Sequence, residues 1–266
     1  MRWKFILGLL TTCAVLMSMS YTMLIPFLPM YLIQDLGVVK ADVDMWSGAI
    51  FAITFLVSGI MAPIWGALAD KKSRKLMALR AGFCLAITYF LGGLVTNPWE
   101  LLGVRFIQGL SAGLWPALLA IISVESPKLK LGFCMGVMQG GMTAGGVLGP
   151  LFGGLLADQF GMRMAFFIAA AALFLITLAL LFFVKEEPRK PDPNAKPVKI
   201  WDFSLCKIPA VKRMLICAGV VQLTILMQQP IMPLYVAELQ GSMERIVLIS
   251  GIVFSVTGIS GVLASP

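Results

Sequence analysis

Arg105 stands in the apolar run Leu101-Leu102-Gly103-Val104-Arg105-Phe106-Ile107-Gln108-Gly109, with Gln108 a turn further on. A guanidinium stays charged and offers several N–H donors, so inside an apolar helix it needs a partner or water. Two chemistries are open to it. Its shallow position would let it snorkel to the membrane interface. Alternatively it pairs with a carboxylate, and Asp35 is the acid closest to it in estimated depth. Such a pair would keep the carboxyl ionised until substrate or a conformational change released it, which is a way of coupling a proton to movement.

Three further groups have spacing that matters. Gly66-Ala67-Leu68-Ala69-Asp70-Lys71-Lys72-Ser73-Arg74-Lys75 puts an acid at a helix end and a basic cluster after it. Read alone, this is an ordinary positive loop at a membrane face. Gly136, Gly145, Gly149-Pro150 and Gly153-Gly154 share one apolar segment. Glycines four apart on a helix form a groove that admits another helix, and Pro150 removes a backbone hydrogen bond and should kink its helix. Thr11, Ser18 and Thr22 form a polar stripe at helical spacing with Tyr21 beside it, and a later segment carries Gln222, Thr224, Gln228 and Gln229. Polar groups on lipid-surrounded helices face inward. Ser18, Tyr21, Thr22, Gln139, Gln222 and Gln228 are therefore candidates for a substrate cavity. Met17, Met19, Met23, Met138 and Met142 would give that cavity an adaptable lining, or simply pack.

The elements that must position these groups are transmembrane helices. The chain of 266 residues is 59% hydrophobic, 13% charged and without histidine, and its mean hydropathy is +0.92. A soluble domain carries about a quarter charged residues. Apolar runs long enough to span a bilayer recur near 5–33, 46–68, 76–96, 100–124, 131–157, 163–184, 213–237 and 246–266. With the N-terminus and alternate loops on one side, that side holds 17 basic and 6 acidic residues and the other 4 basic and 7 acidic. The positive-inside rule then puts the N-terminus in the cytoplasm. The net charge of +8 is thus topological, and no aromatic-interleaved basic patch suggests nucleic acid. Met1-Arg2-Trp3-Lys4 opens an apolar run too long for a signal peptide, so the first span should be uncleaved.

The chain also repeats itself. Ile25-Pro26-Phe27-Leu28-Pro29-Met30-Tyr31 is echoed by Gln229-Pro230-Ile231-Met232-Pro233-Leu234-Tyr235, and Ser47-Gly48 by Ser250-Gly251. Parallel repetition of two helical halves is one way of building a transporter. The expected organisation is a six-helix bundle over 1–184, a charged and proline-rich cytoplasmic linker over 185–212, and the first two helices of a second bundle over 213–266. The repeat implies four more helices, so the chain is expected to be a C-terminally truncated piece.

With these residues in view, the chain resembles the major facilitator superfamily. The 66–75 run matches that family's loop signature except that Ser73 stands where glycine is usual, and glycine reaches φ > 0 without the penalty serine incurs. Arg105-x-x-Gln108-Gly109 resembles the fourth-helix motif of proton-linked members, and the Gly136–Gly154 spacing the fifth-helix motif of drug–proton exchangers. Pro26-x-x-Pro29 and Met45-Trp46-Ser47-Gly48 further resemble the MdtG-like group of bacterial multidrug efflux proteins. The resemblance implies an all-α membrane protein of that superfamily's fold, with Gly66, Asp70, Lys71, Arg74 and Lys75 as a gate between helices. It implies Asp35, Arg105, Gln108 and Gly109 as proton-coupling candidates, and an inner-membrane exporter that exchanges small, mostly hydrophobic compounds for protons. Such a protein would be a monomer when complete. The same fold exporting a sugar, metabolite or lipid-linked molecule, or a fragment that transports nothing, remains open at this point. An enzyme is not expected, because there is no histidine and no phosphate-binding loop. No metal site or cofactor is expected either. Cys13, Cys84, Cys134, Cys206 and Cys217 show no paired spacing.

Overall fold

The computed structural model describes residues 2–24, 27–71, 73–184 and 208–240, together with positions 249, 252, 253 and 256. The regular structure among these residues is helical, with no strand among them. The elements are α1 (Arg2–Leu24), α2 (Leu28–Gln34), α3 (Val43–Lys71), α4 (Arg74–Leu94), α5 (Pro98–Leu110), α6 (Leu114–Glu125), α7 (Leu131–Phe160), α8 (Met162–Phe183) and α9 (Pro209–Gln240). Short 3-10 turns at Lys40–Asp42 and Lys128–Lys130 lead into α3 and α7. Among the described residues, six segments are long and apolar enough to cross a membrane: Trp3–Met23, Lys40–Ala69, Arg74–Leu94, Pro98–Glu125, Lys128–Phe160 and Met162–Phe183. Most of the linker expected over 185–212, Cys206 within it, and nearly all of the span expected over 246–266 lie outside the described residues.

Two expected spans are interrupted. The first ends as α1 at Leu24, and α2 begins at Leu28 with Pro29 in its opening turn, where a missing N–H costs nothing. The fourth is divided at Ser111–Gly113 into α5 and α6. Gly113 takes φ +118, a left-handed value that favours glycine. Pro116 follows three residues later and has no N–H to give the Ala112 carbonyl, so the helix cannot close across the junction. Proline does not end α7, which continues through Pro150 as a single helix.

Helix α1 lies along α7, α4 along α8 and α3 along α5. Buried side chains form two layers. One gathers Ile6, Leu10, Cys13, Met77, Leu118, Cys134, Met138 and Leu180. The other gathers Phe27, Tyr31, Ile50, Tyr89, Leu101, Phe166 and Leu173 near the far end of α1. The Tyr31 hydroxyl donates to the Gly92 carbonyl at 2.9 Å, tying α2 to α4. Large apolar side chains also point outward, such as Leu175 at 65% and Phe182 at 70% exposure. On a water-facing surface they would be a liability; on a membrane span they are the lipid-facing surface.

Candidate functional site

The glycines of α7 meet α1 directly. A Cβ added at Gly141 would lie 2.6 Å from Thr11 Cγ2, and one at Gly145 would run into the Val15 carbonyl and stand 3.0 Å from Ser18 Cβ. At Gly149 it would strike the Thr22 hydroxyl and lie 2.7 Å from the Met19 carbonyl, and at Gly153 it would strike the Met23 carbonyl. Positions 141, 145, 149 and 153 recur every four residues and so share one helix face. The backbones touch because these side chains are absent, which is how small residues join helices in lipid. Of the residues singled out in the sequence, Gly145, Gly149 and Gly153 form the groove, and Pro150 and Gly154 are buried beside it. Gly136 is not part of it, since a Cβ there would meet open space. Gly141 belongs to the groove and was missed, although its place four residues before Gly145 was the available signal.

The polar stripe on α1 turns out to face this seam. Ser18 is buried against Gly145, and the Thr22 hydroxyl beside Gly149 donates to the Ser18 carbonyl at 2.8 Å. Both are helix-contact residues in this conformation, not the wall of an open cavity. Tyr21 stands edge-on to Phe55, with ring centroids 6.5 Å apart. Gln139 is exposed on α7. Gln222 and Gln228 fall on α9, and their side chains lie outside the described residues.

Arg105 does not pair with Asp35. It is 6% exposed, and its Nη1 donates to Gln108 Oε1 at 3.0 Å within the same helix. Tyr21 and Tyr89 are its electrostatic neighbours. Asp35 instead meets Arg163 Nε at 3.3 Å, in a half-buried pair at the start of α8. Asp35 caps the short helix α2, which opens after the turn at Phe27, and there it meets the arginine that begins α8. Gly109 serves packing, because a Cβ there would lie 2.8 Å from the Thr54 carbonyl and 2.9 Å from Val57 Cβ on α3.

At the other end of the bundle, Asp70 and Lys71 close α3, with side chains outside the described residues, as is Lys72 entirely. Gly66 is exposed with open space around it. Ser73 does not need a left-handed turn: at φ −71 it is the N-cap of α4, and its hydroxyl accepts from the Leu76 N–H at 3.0 Å. Arg74 opens α4, and Lys75 Nζ donates to the Leu181 carbonyl in the last turn of α8 at 2.6 Å.

Sequence reasoning overlooked Trp65 and Arg80, which clamp the junction between α5 and α6. Trp65 Nε1 donates to the Leu110 carbonyl at 2.8 Å, and Arg80 Nη2 to the Ala112 carbonyl at 3.0 Å. The guanidinium lies over the Trp65 ring, 3.3 Å from its centroid. The interrupted helix would otherwise leave these carbonyls unsatisfied in a medium with little water, and the two side chains supply the missing donors. Trp65 is five residues before Asp70, and Arg80 six after Arg74, so the clamp connects the 66–75 loop to the helix bearing Arg105.

Six apolar spans among the described residues, a glycine-lined helix seam and a charged interior arginine define a polytopic helical membrane protein. Residues 10–266 match the Major Facilitator Superfamily, and the chain belongs to it. The whole chain aligns with Multidrug resistance protein MdtG of Citrobacter koseri at 38% identity, covering 66% of that protein. It aligns with the Yersinia enterocolitica protein of the same name at 36%, covering 64%. The chain thus spans about two thirds of the length of these curated relatives. Among solved structures, the nucleoside transporter NupG superposes with a TM-score of 0.74 at 18% identity, over 99% of this chain and 66% of that one. A bacterial homologue of the lysosomal transporter Spinster superposes with a TM-score of 0.61 at 23% identity, over 77% of this chain and 48% of that one. Both likenesses concern the fold alone.

Proposed function

We propose that the full-length protein is a secondary active transporter that exports small, mostly hydrophobic compounds in exchange for protons by alternating access. The observation that carries this reading is the α1–α7 seam. A run of glycines, at a spacing that resembles the fifth-helix motif of drug–proton exchangers, brings the two backbones together over several turns. The identity to proteins named for multidrug resistance supports it. Residues 1–184 act as one six-span bundle and residues from 213 begin the second, with substrate held between the halves as one rocks against the other. The loop from Gly66 to Lys75 gates one end, with Lys75 on the end of α8 as one of its ties. Arg105, Gln108 and Gly109 belong to the coupling machinery, and Asp35 reaches it only through a rearrangement that releases Arg163.

The protein works as a monomer in a bacterial inner membrane, with its N-terminus in the cytoplasm as the charge asymmetry suggests. Labelling of Cys206 by an impermeant thiol reagent in intact cells, with the other cysteines removed, would reverse that orientation. The export reading is tested in inverted vesicles carrying the full-length protein. Dye accumulation that saturates, follows an imposed proton gradient and collapses with an uncoupler is expected. Accumulation indifferent to the gradient contradicts proton exchange, and none at any gradient contradicts export.

A further inference from the structure

We propose that Arg105, Gln108 and Tyr89 form a binding site for an anionic group, a carboxylate or similar oxyanion, on the compound that the protein carries. Each described acid, namely Asp35, Asp42, Asp44, Asp70, Glu100, Glu125, Asp158 and Glu238, lies in a loop or in the first or last turn of its helix. Arg80 and Arg105 lie further inside, and neither has an ion pair among the described residues. The interior of the described bundle is therefore positive.

The two arginines differ in what already occupies them. Arg80 is committed to the helix junction, stacked on Trp65 and bonded to a carbonyl. Arg105 is buried more deeply, at 6% exposure, and its hydrogen bond goes to the neutral side chain of Gln108, itself 7% exposed. A buried ion is unfavourable unless charge or ample hydrogen bonding compensates it. One amide oxygen uses one of five guanidinium N–H groups. Tyr89 adds a second buried donor: the residue is 2% exposed, and its hydroxyl faces the Gln108 side chain without a well-formed hydrogen bond to it. Tyr89 lies beside both Gln108 and Arg105. An oxyanion accepting two guanidinium N–H bonds and the tyrosine O–H would satisfy all of these groups at once. A neutral ester or amide would not neutralise the guanidinium. The apolar body of such a ligand has Tyr21 and Phe55 nearby. The site is closed in this conformation, so the ligand reaches it when the halves move, and to that extent the proposal rests on the export reading.

The test measures binding without transport. The full-length protein in lipid nanodiscs, with no proton gradient, is titrated with 2-naphthoate and with 2-naphthamide at about pH 8, where the carboxylate is ionised. Naphthoate should bind about tenfold or more tightly than the amide. Arg105→Gln should abolish that preference, bringing naphthoate down to the level of naphthamide, Arg105→Lys should keep part of it, and Tyr89→Phe should reduce it severalfold. Equal affinity for the two probes in the unaltered protein overturns the proposal, as does a preference that survives Arg105→Gln. Should Arg105→Gln fail to fold, an undiminished preference in Tyr89→Phe overturns it equally. If export alone is wrongly assigned, naphthoate still binds preferentially but no gradient drives its movement, so the two failures are distinguishable.

Discussion

Along the seam between α1 and α7, contact is made by leaving side chains out. Gly141, Gly145, Gly149 and Gly153 bring backbone to backbone, with Thr22 and Ser18 filling the remaining space. At the junction between α5 and α6, contact is made by long polar side chains. Trp65 and Arg80 reach in from α3 and α4 to satisfy the Leu110 and Ala112 carbonyls. The seam is a shape, set by volume, and resists any addition. The junction is a set of satisfied dipoles, and tolerates changes of size better than loss of a donor. In a bilayer, where apolar burial does not drive helices together, these are two of the available ways to join them.

The largest effect is expected where volume enters the seam. Gly149→Val places branched carbons where one Cβ already meets the Thr22 hydroxyl and the Met19 carbonyl. Overpacking of that kind costs about 1–3 kcal/mol even in adaptable cores. Efflux by the full-length protein should fall about tenfold or more at matched abundance, with a lowered thermal midpoint. Full-rate export by Gly149→Val would show that α1 and α7 separate freely in use and that the seam has no part in transport.

Loss of a donor at the junction should come next. Arg80→Gln withdraws the guanidinium from the Ala112 carbonyl and from the Trp65 ring. An unsatisfied buried carbonyl costs about 1–3 kcal/mol, so the melting midpoint should drop measurably, with Arg80→Lys recovering part of the loss. A midpoint unchanged by Arg80→Gln would mean that the junction is satisfied by other means. The smallest effect belongs to the bridge between Asp35 and Arg163, half-buried at the end of the bundle. Asp35→Asn should change stability by no more than about 1 kcal/mol. A loss of several times that size would move Asp35 from the periphery into the centre of the mechanism.

The two regions also differ in how far they could be read in advance. The seam is written locally. Glycines at fixed intervals on one apolar segment announce a groove, although the interval alone did not separate Gly136, which faces open space, from Gly141, which faces Thr11. The spans were legible for the same reason, since apolar length is a property of contiguous residues. The junction was not legible, because its donors come from other helices. Ser111-Ala112-Gly113 with Pro116 after it was the local hint of a break. Nothing local pointed to Trp65 or Arg80 as the groups that answer it. The expected pairing of Asp35 with Arg105 is absent on the same ground, because the arginine that Asp35 meets, Arg163, comes from another helix, while Arg105 bonds to Gln108. Ser73 shows the converse. Its type suited an N-cap better than a left-handed turn, and it caps α4.

An alanine scan of α7 in the full-length protein, read as thermal midpoint, shows whether volume alone holds the seam together. A methyl group at Gly141, Gly145, Gly149 or Gly153 meets α1 at once, whereas at Gly132, Gly136 or Gly140 it meets nothing within 4 Å. Alanine favours helix over glycine by about 1 kcal/mol, so the two sets should move in opposite directions. Lowered midpoints are expected at 141, 145, 149 and 153 and unchanged or raised ones at 132, 136 and 140. Midpoints that fall equally in both sets, or fall at 136 and not at 149, would contradict it.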